Sequence, residues 1–262
     1  MPDAGSLSPL AFVALVCAAF VAGFVDAIAG GGGLITVPCM TLAGLDPVTA
    51  IATNKLQSSF GSGSAALSFA RAGHLRWRDT RWIVALAALG AVIGASLLAS
   101  VPTAAVITAL PILLVAVALY FALSPRIGDE GSRERLSPMT FAATIVPLIG
   151  CYDGLFGPGT GSFFMLAFVG LRGFGLIAAT ARTKAANLAS NLAGLATLAF
   201  SGHVIWALGF AMGAGQFAGA NLGARAAMLA GARLIKPLLI TISLLLALRL
   251  AWERWPIARA FW

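Results

Sequence analysis

The sequence has little charge. Only 10% of its 262 residues are Asp, Glu, Lys or Arg, whereas charged residues make up about 25% of an ordinary soluble domain. Three long stretches, residues 4–25, 82–125 and 185–224, contain no Asp, Glu, Lys or Arg. Since about 20 apolar residues cross a bilayer as a helix, each stretch holds one or two membrane spans. The composition excludes a soluble enzyme, a disordered tail and a disulfide scaffold.

Cysteine and histidine are also scarce. Cys17, Cys39 and Cys151 lie in apolar segments without the spacing of metal ligands, so we interpret them as small packing residues. His74 and His203 fall at helix ends, where a solvated or capping role is typical. There is no clustered His, Glu or Cys set for catalysis. We therefore expect a protein that is not an enzyme and has no cofactor and no metal.

Charges, prolines and glycine pairs bracket ten helical segments, five in each half of the chain. They are placed near residues 8–29, 33–45, 47–70, 80–100 and 103–124, then 138–157, 160–172, 176–200, 204–224 and 233–252. The second segment of each half is about 18 Å long, too short to cross about 30 Å of hydrocarbon. Each is predicted to be a half-helix, and the fold class is an all-α polytopic membrane protein.

The two halves are copies of one another. Residues 23–32 align with 150–159 at an offset of 127, and further on Lys55 aligns with Lys184 at an offset of 129. The agreement runs through four helices, so we attribute it to duplication. We divide the chain into an N-terminal repeat (1–124), a cytoplasmic linker (125–137) and a C-terminal repeat (138–262) within one membrane domain. Duplicated membrane domains are typical of transporters, since two repeats can rock about a shared site.

Basic residues predict how the copies are oriented. The loop after the third segment carries four arginines between residues 71 and 81, while its copy at 201–203 carries no Lys or Arg. The next loop reverses this pattern: residues 100–103 are uncharged, and their copy carries three basic residues between 225 and 236. Under the positive-inside rule the two repeats are therefore inverted. The first two segments of each repeat then either form a hairpin that enters and leaves the membrane on the same side, or both cross the membrane.

Two glycine runs stand at matching points, each directly before a half-helix. They contain Gly30, Gly31, Gly32 and Gly33 in the first repeat, and Gly157, Gly159, Thr160 and Gly161 in the second. A glycine-rich break presents the amides of a helix N-terminus, which carries about half a positive charge and attracts anions. A nucleotide phosphate loop is discounted because no Lys-Ser or Lys-Thr follows the glycines. Close packing is the alternative role for these glycines, but both breaks begin helices too short to span, which favours a binding site.

Lys55 and Lys184 each lie about 12 Å along a helix, well inside the membrane. A charge at that depth costs at least about 2.5 kcal/mol and tends to face a cavity or a partner. Asp26 and Asp153, duplicated in the same way, are the natural partners. In the structural alternative, two Lys–Asp bridges only tie each repeat together. Arg182, which has no basic counterpart in the first half, is expected to select for charge in an anion site.

Polar side chains recur at helical spacing on the two lysine-bearing helices, so one face of each is wet or hydrogen-bonded. In the site hypothesis, hydrogen bonds that orient the substrate come from Asn54, Gln57, Asn187 and Asn191. Asn191, Ser62 and Ser190 lie deeper along the helices, and for them hydrogen bonds between helices explain the polarity equally well.

The run from Gly23 to Pro38, the following Ala52-Thr53-Asn54-Lys55 and the second-repeat segment from Tyr152 to Gly161 resemble the TauE/SafE family of sulfite and organosulfonate exporters. The resemblance covers about residues 8–250. It implies a multi-pass secondary carrier of the bacterial inner membrane that moves small sulfur-containing anions, such as sulfite or sulfoacetate, usually outward. The family leaves the coupling ion open, and Asp26 and Asp153 are candidates for proton coupling.

The sequence thus predicts a transporter that works by alternating access, with an anion site near the midplane. An anion channel would share the positive cavity but conduct without saturation, and a carrier of another small organic anion is the nearest alternative. The expected partners are a small anionic substrate and the lipid bilayer. Nucleic acid is not expected, because membrane topology explains the basic loops. A homodimer through the small-residue faces of the fourth and ninth segments stays open.

Overall fold

The computed structural model describes residues 7–98 and 131–238, together with positions 119, 240, 241 and 244. Every regular element within them is an α-helix, which confirms the all-α fold class. The first half contains α1 (Pro9–Ala29), α2 (Gly32–Leu42), α3 (Pro47–Arg71) and α4 (Trp77–Leu97). The second half contains α5 (Pro138–Leu155), α6 (Thr160–Gly170), α7 (Leu176–Leu198) and α8 (Trp206–Ala230). The predicted segments at 103–124 and 233–252 lie mostly outside the described residues.

Three helices begin with the same local signal, a capping side chain followed by proline. Ser8, Asp46 and Ser137 stand before the prolines that start α1, α3 and α5. Proline suits the first helical position because its missing amide would have no partner there. The caps bind the next free amides; Ser137 Oγ, for example, accepts from the Thr140 amide at 3.2 Å. Local sequence therefore fixes where these helices begin.

Each half-helix folds back along the helix that precedes it. Leu15 in α1 and Met40 in α2 belong to one buried cluster, and the rings of Phe141 in α5 and Phe168 in α6 lie 5.2 Å apart. Glycines with positive φ make the reversals: Gly30 has φ 75°, and Gly157 and Gly159 have φ 86° and 87°, a conformation that other residues adopt only under strain. These contacts favour the hairpin alternative over two crossings.

The helices of the two halves are interleaved. α1 makes its most extensive contacts with α8, and α5 makes its most extensive contacts with α4. The first helix of each half therefore packs on the fourth helix of the other. Glycines allow the backbones to approach: a Cβ at Gly219 would lie 1.9 Å from the Phe20 carbonyl oxygen, and one at Gly94 would lie 1.9 Å from that of Cys151. Small residues have this role in many membrane helix pairs.

The two lysine-bearing helices, α3 and α7, cross in the centre and run antiparallel. Lys55, near the start of α3, lies beside Gly194, near the end of α7, and Gly63 lies beside Leu188. Equivalent helices of the two halves thus point in opposite directions. Inverted repeats would have this direction, and the inversion itself stays a prediction.

The outer face is apolar, whereas the centre is polar. Two described helices, Pro9–Ala29 and Arg78–Leu97, are long and apolar enough to cross a membrane by length and composition. Leu10, Leu89 and Phe210 on the outside are exposed, while the lysines of α3 and α7 are completely buried. A protein surrounded by lipid is organised in this way, because charges inside a membrane face the bundle interior.

We expect Gly94→Ala to lower the melting temperature of the protein purified in detergent. The new methyl group would meet the Cys151 carbonyl and push α4 away from α5, and overpacking of this kind costs about 1–3 kcal/mol. Gly63→Ala is the matched control, because a Cβ there meets only the Leu188 side chain, at 3.5 Å. The control should melt at or above the parent temperature, and equal melting of the two variants would contradict the close packing of α4 on α5.

Candidate functional site

The two glycine breaks touch one another in the centre of the molecule. A Cβ on Gly30 would lie 2.4 Å from the carbonyl carbon of Gly161, so no larger residue fits at this contact. Ser162 closes the contact: its amide donates to the Gly30 carbonyl at 3.1 Å, and its Oγ lies 2.9 Å from the same oxygen. The tip of each hairpin is therefore held against the tip of the other.

Two ion pairs join the halves beside this contact. Lys55 Nζ lies 2.9 Å from Asp153 Oδ1, and Lys184 Nζ lies 2.9 Å from Asp26 Oδ2. Each pair connects the third helix of one half with the first helix of the other. Bridges that tie each repeat to itself, the structural alternative considered above, are not formed. The overlap of the hairpin tips explains the difference, because it brings each aspartate within reach of the opposite repeat's lysine.

The two carboxylates are held unequally. Asp153 Oδ1 also accepts from Thr160 Oγ1 at 3.0 Å, its Oδ2 accepts from Ser190 Oγ, and its side chain is 3% exposed. Within the described residues, Asp26 Oδ1 accepts only from the Gly32 amide, at 3.1 Å, and the side chain is 14% exposed. Each aspartate thus binds the first residue of its own half-helix and a lysine of the other half. The Asp26–Lys184 pair is the more accessible one.

A small polar cavity of about 20 Å³ lies between the two glycine breaks. It is lined by Asp26, Gly30, Gly31, Gly32, Gly33, Asn54, Ser58, Asp153, Gly157, Gly159, Thr160, Gly161, Asn187 and Asn191. All but one of these residues belong to the set predicted from the sequence; Ser58 is the addition. The cavity has room for a water molecule or a small ion. Residues from both halves of the chain therefore converge on one shared space.

Hydrogen-bonding groups around this central cavity are available to a ligand. Asn54 Oδ1 accepts from Thr36 Oγ1 at 2.7 Å and from Gln57 Nε2 at 2.8 Å, which orients the amide and leaves its NH₂ group as the donor. Asn187 Oδ1 is buried and has no partner among the described residues. In the same part of the chain the Gly161 amide has no acceptor. Leaving such groups unpaired is costly, so a bound ion or water is expected here.

Four of the predicted site residues do not line the central cavity. Lys55 and Lys184 are completely buried and reach the site through their aspartate partners. Gln57 binds Asn54 with its Nε2, while its Oε1 is unpaired among the described residues. Arg182 lines a different pocket and stacks over the Phe174 ring at 4.1 Å.

Sequence reasoning gave no role to two hydroxyl groups that build the site, and it left a third undecided. Thr36 orients Asn54, and Ser162 binds the tip of the opposite hairpin. Ser190, for which two roles were open, donates to Asp153. The available signal was position: Thr36 and Ser162 both lie within the first five residues of a half-helix that follows a glycine break.

The arrangement defines a class of protein. Broken hairpins that meet at buried charges, inside a bundle with an apolar outer face, are the architecture of membrane transport proteins. Their irregular backbone is tolerated at membrane depth only where it is buried in protein or lines a cavity.

Comparison with known proteins leads to the same class. Residues 15–250 match the family model described as sulfite exporter TauE/SafE. The chain is 53% identical over 236 residues to the probable membrane transporter protein ORF9 of Sinorhizobium sp., covering 90% of both chains. It is 42% identical over 247 residues to the probable membrane transporter protein YfcA of Escherichia coli strain K12, covering 94% of this chain and 92% of that one. No solved structure matches the chain.

The chain therefore belongs to the TauE/SafE family, and it is a membrane transporter of that type. A relative from Haemophilus influenzae, 43% identical over 92% of this chain and 94% of its own, is likewise named a probable membrane transporter protein.

Removing one partner of the Lys184–Asp26 pair should destabilise the protein more than removing both. Lys184→Met leaves a carboxylate without its cation, which costs about 3–5 kcal/mol in buried pairs; the partial exposure of Asp26 places this pair near the lower end. Adding Asp26→Asn removes the uncompensated charge but keeps an acceptor for the Gly32 amide. We expect the double variant to melt between the parent and Lys184→Met. Strictly additive effects of the two substitutions would show that the residues do not interact.

Proposed function

We propose that this protein is a secondary-active transporter of the bacterial inner membrane that exports small sulfur-containing anions, such as sulfite, sulfoacetate or related organosulfonates, by alternating access. The observation that carries the proposal is the central cavity, where the two glycine breaks meet. Two ion pairs lie beside it, and each joins one half of the chain to the other. A site shared by two inverted repeats can be opened from either side when one repeat rocks against the other.

Anion preference comes from donors rather than from net charge at the site. The two lysines are matched by two aspartates, so the ion pairs alone leave the cavity neutral. The N-termini of α2 and α6 each add about half a positive charge, and the Gly161 amide and the Asn54 NH₂ group offer hydrogen bonds. An oxyanion binds well to such preorganised donors. The cavity therefore favours one small anion over a cation or a neutral solute.

The lysines contribute to anion binding by exchanging their aspartate partners for the anion. An anion that enters the cavity lies beside Asp26 and Asp153 and competes with these carboxylates for Lys184 and Lys55. Asp26 is the better candidate for release, since it has fewer donors and greater exposure than Asp153. Protonation of Asp26 would free Lys184 for the anion, which makes this carboxylate the candidate for proton coupling.

The size of the cavity bears on which substrate the described conformation accepts. With a volume of about 20 Å³, it has room for about one water molecule, whereas pockets for larger organic ligands have about 300–1,000 Å³. Sulfite is therefore the substrate that needs the least movement. Sulfoacetate and other organosulfonates require the hairpin tips to separate.

Transport by proteoliposomes tests the proposal directly. Labelled sulfite should enter against an imposed gradient, with a rate that saturates and responds to a proton gradient. Asn187→Asp should slow this transport at least about tenfold, because the new charge repels an anion in the cavity and about 1.4 kcal/mol gives this factor. Asn221→Asp is the matched control, since Asn221 lies outside the cavity and binds Ser68 on the flank of α3.

Two outcomes would contradict the proposal. Flux that rises linearly with concentration and ignores the proton gradient would indicate a channel. Equal rates for the parent and Asn187→Asp would place the anion elsewhere. Parallel assays with sulfoacetate, taurine and sulfate compare organosulfonates and an inorganic anion under the same conditions.

A further inference from the structure

A second, larger pocket lies at the end of the molecule where α4 and α5 begin. Its volume is about 420 Å³, within the range of small-molecule sites. Three of its walls carry arginines: Arg78 from α4, Arg172 from the α6–α7 connection and Arg182 from α7. None of these residues lines the central cavity. The proposed function gives the pocket as a whole no role.

Arg182 is held in place without a salt bridge among the described residues, although the Asp79 carboxylate is near enough to attract its charge. Its guanidinium stacks over the Phe174 ring at 4.1 Å, and its Nη1 donates to the Ala178 carbonyl at 3.1 Å. Within the described part of the chain, neither Arg182 nor Arg78 has a carboxylate oxygen within 4.0 Å. A half-buried guanidinium in a lipid-embedded protein normally faces a partner or a water-filled cavity. This one faces the pocket.

The pocket has an excess of positive charge. Arg172 is engaged by Glu134 and donates to the Leu136 carbonyl at 2.6 Å. Asp79 is the only acidic residue among those that line the pocket. Three guanidinium groups therefore share two carboxylates, Glu134 and Asp79, which leaves a surplus of one positive charge. Such groups suit an oxyanion, because the planar guanidinium presents several donors in a fixed fork.

The remaining wall is apolar. Trp82, Phe141 and Phe174 line the same space, so a bare inorganic ion would leave most of the pocket unfilled. A ligand with an oxyanion at one end and an apolar body at the other satisfies both surfaces. Aromatic and apolar walls with a few convergent charged groups are the usual composition of an organic-ligand site.

We propose that this arginine pocket is a second binding site, for an oxyanion carried on an apolar body, such as an organic sulfonate, carboxylate or phosphate ester. This ligand is either a soluble organic anion or an anionic lipid, because both carry an oxyanion on an apolar body. Arg182 lies on α7, the helix that also carries Lys184, so one helix contributes a basic residue to this pocket and another to the ion pair beside the central cavity. A role in capturing substrate rests on the proposed function, whereas binding itself does not.

Binding of benzenesulfonate to the full-length protein in neutral detergent tests the pocket, with isothermal calorimetry as the measurement. We expect Arg182→Gln and Arg78→Gln each to raise the Kd by about tenfold, because each removes a charged hydrogen-bond donor. Arg71→Gln, at an exposed arginine in the last turn of α3 outside the pocket, should leave the Kd unchanged. Inorganic sulfate should bind more weakly than benzenesulfonate, since it has no apolar body.

Two further experiments distinguish a lipid ligand from a soluble one, and the arginine pocket from the central cavity. The protein is compared in nanodiscs of phosphatidylglycerol and of phosphatidylcholine. If an anionic lipid is the natural ligand, phosphatidylglycerol should compete and weaken benzenesulfonate binding. If a soluble anion is the natural ligand, the Kd for benzenesulfonate should be the same in both lipids. Asn187→Asp should slow transport as stated above for sulfite but keep benzenesulfonate binding, which separates failure of this proposal from failure of the transport proposal. The pocket assignment is overturned if no benzenesulfonate binds, if both arginine variants bind it like the parent, or if Asn187→Asp abolishes its binding.

Discussion

Buried charge is the constraint on which the rest of this structure depends. Two ammonium groups and two carboxylates lie in the centre of a bundle with an apolar outer face, and isolated ions in such surroundings are too costly to keep. Each must therefore have a close partner, and the structure supplies that partner from the opposite half of the chain. Each half of the chain neutralises the lysine of the other, so the two halves form one unit.

The glycine breaks follow from this constraint. For each aspartate to reach the opposite lysine, the two hairpin tips must overlap, and Gly30 against Gly161 leaves no space for a side chain. The same overlap brings together two helix N-termini, which carry partial positive charge, and encloses the small polar cavity between them. The groups that hold the halves together thus also form the proposed anion site. A substrate that competes for these groups would weaken the contact between the repeats, which links binding to movement.

The sequence predicted the parts of this site but not their connections. The all-α fold, the short helices after the glycine runs and most residues that line the cavity could be predicted from glycine runs, short apolar segments and lysines at membrane depth, because each leaves a local pattern. Which aspartate meets which lysine depends on how the halves interleave, and a single chain's periodicity does not contain this information. The same reason explains Arg182: its lack of a basic counterpart in the first half predicted a role in charge selection, but its direction toward Phe174 and the pocket by α4 is a result of helix packing.

The central claim is that the cavity between the hairpin tips opens to both sides of the membrane and holds the transported anion. Ser58 lines this cavity, and Ser58→Cys in a background without Cys17, Cys39 and Cys151 gives a thiol at the site. The most direct measurement is labelling of this thiol by a membrane-impermeant reagent in right-side-out and in inverted vesicles, with and without sulfite. The account predicts labelling from both sides and protection by sulfite. Labelling from one side alone, or labelling that sulfite does not change, would contradict it.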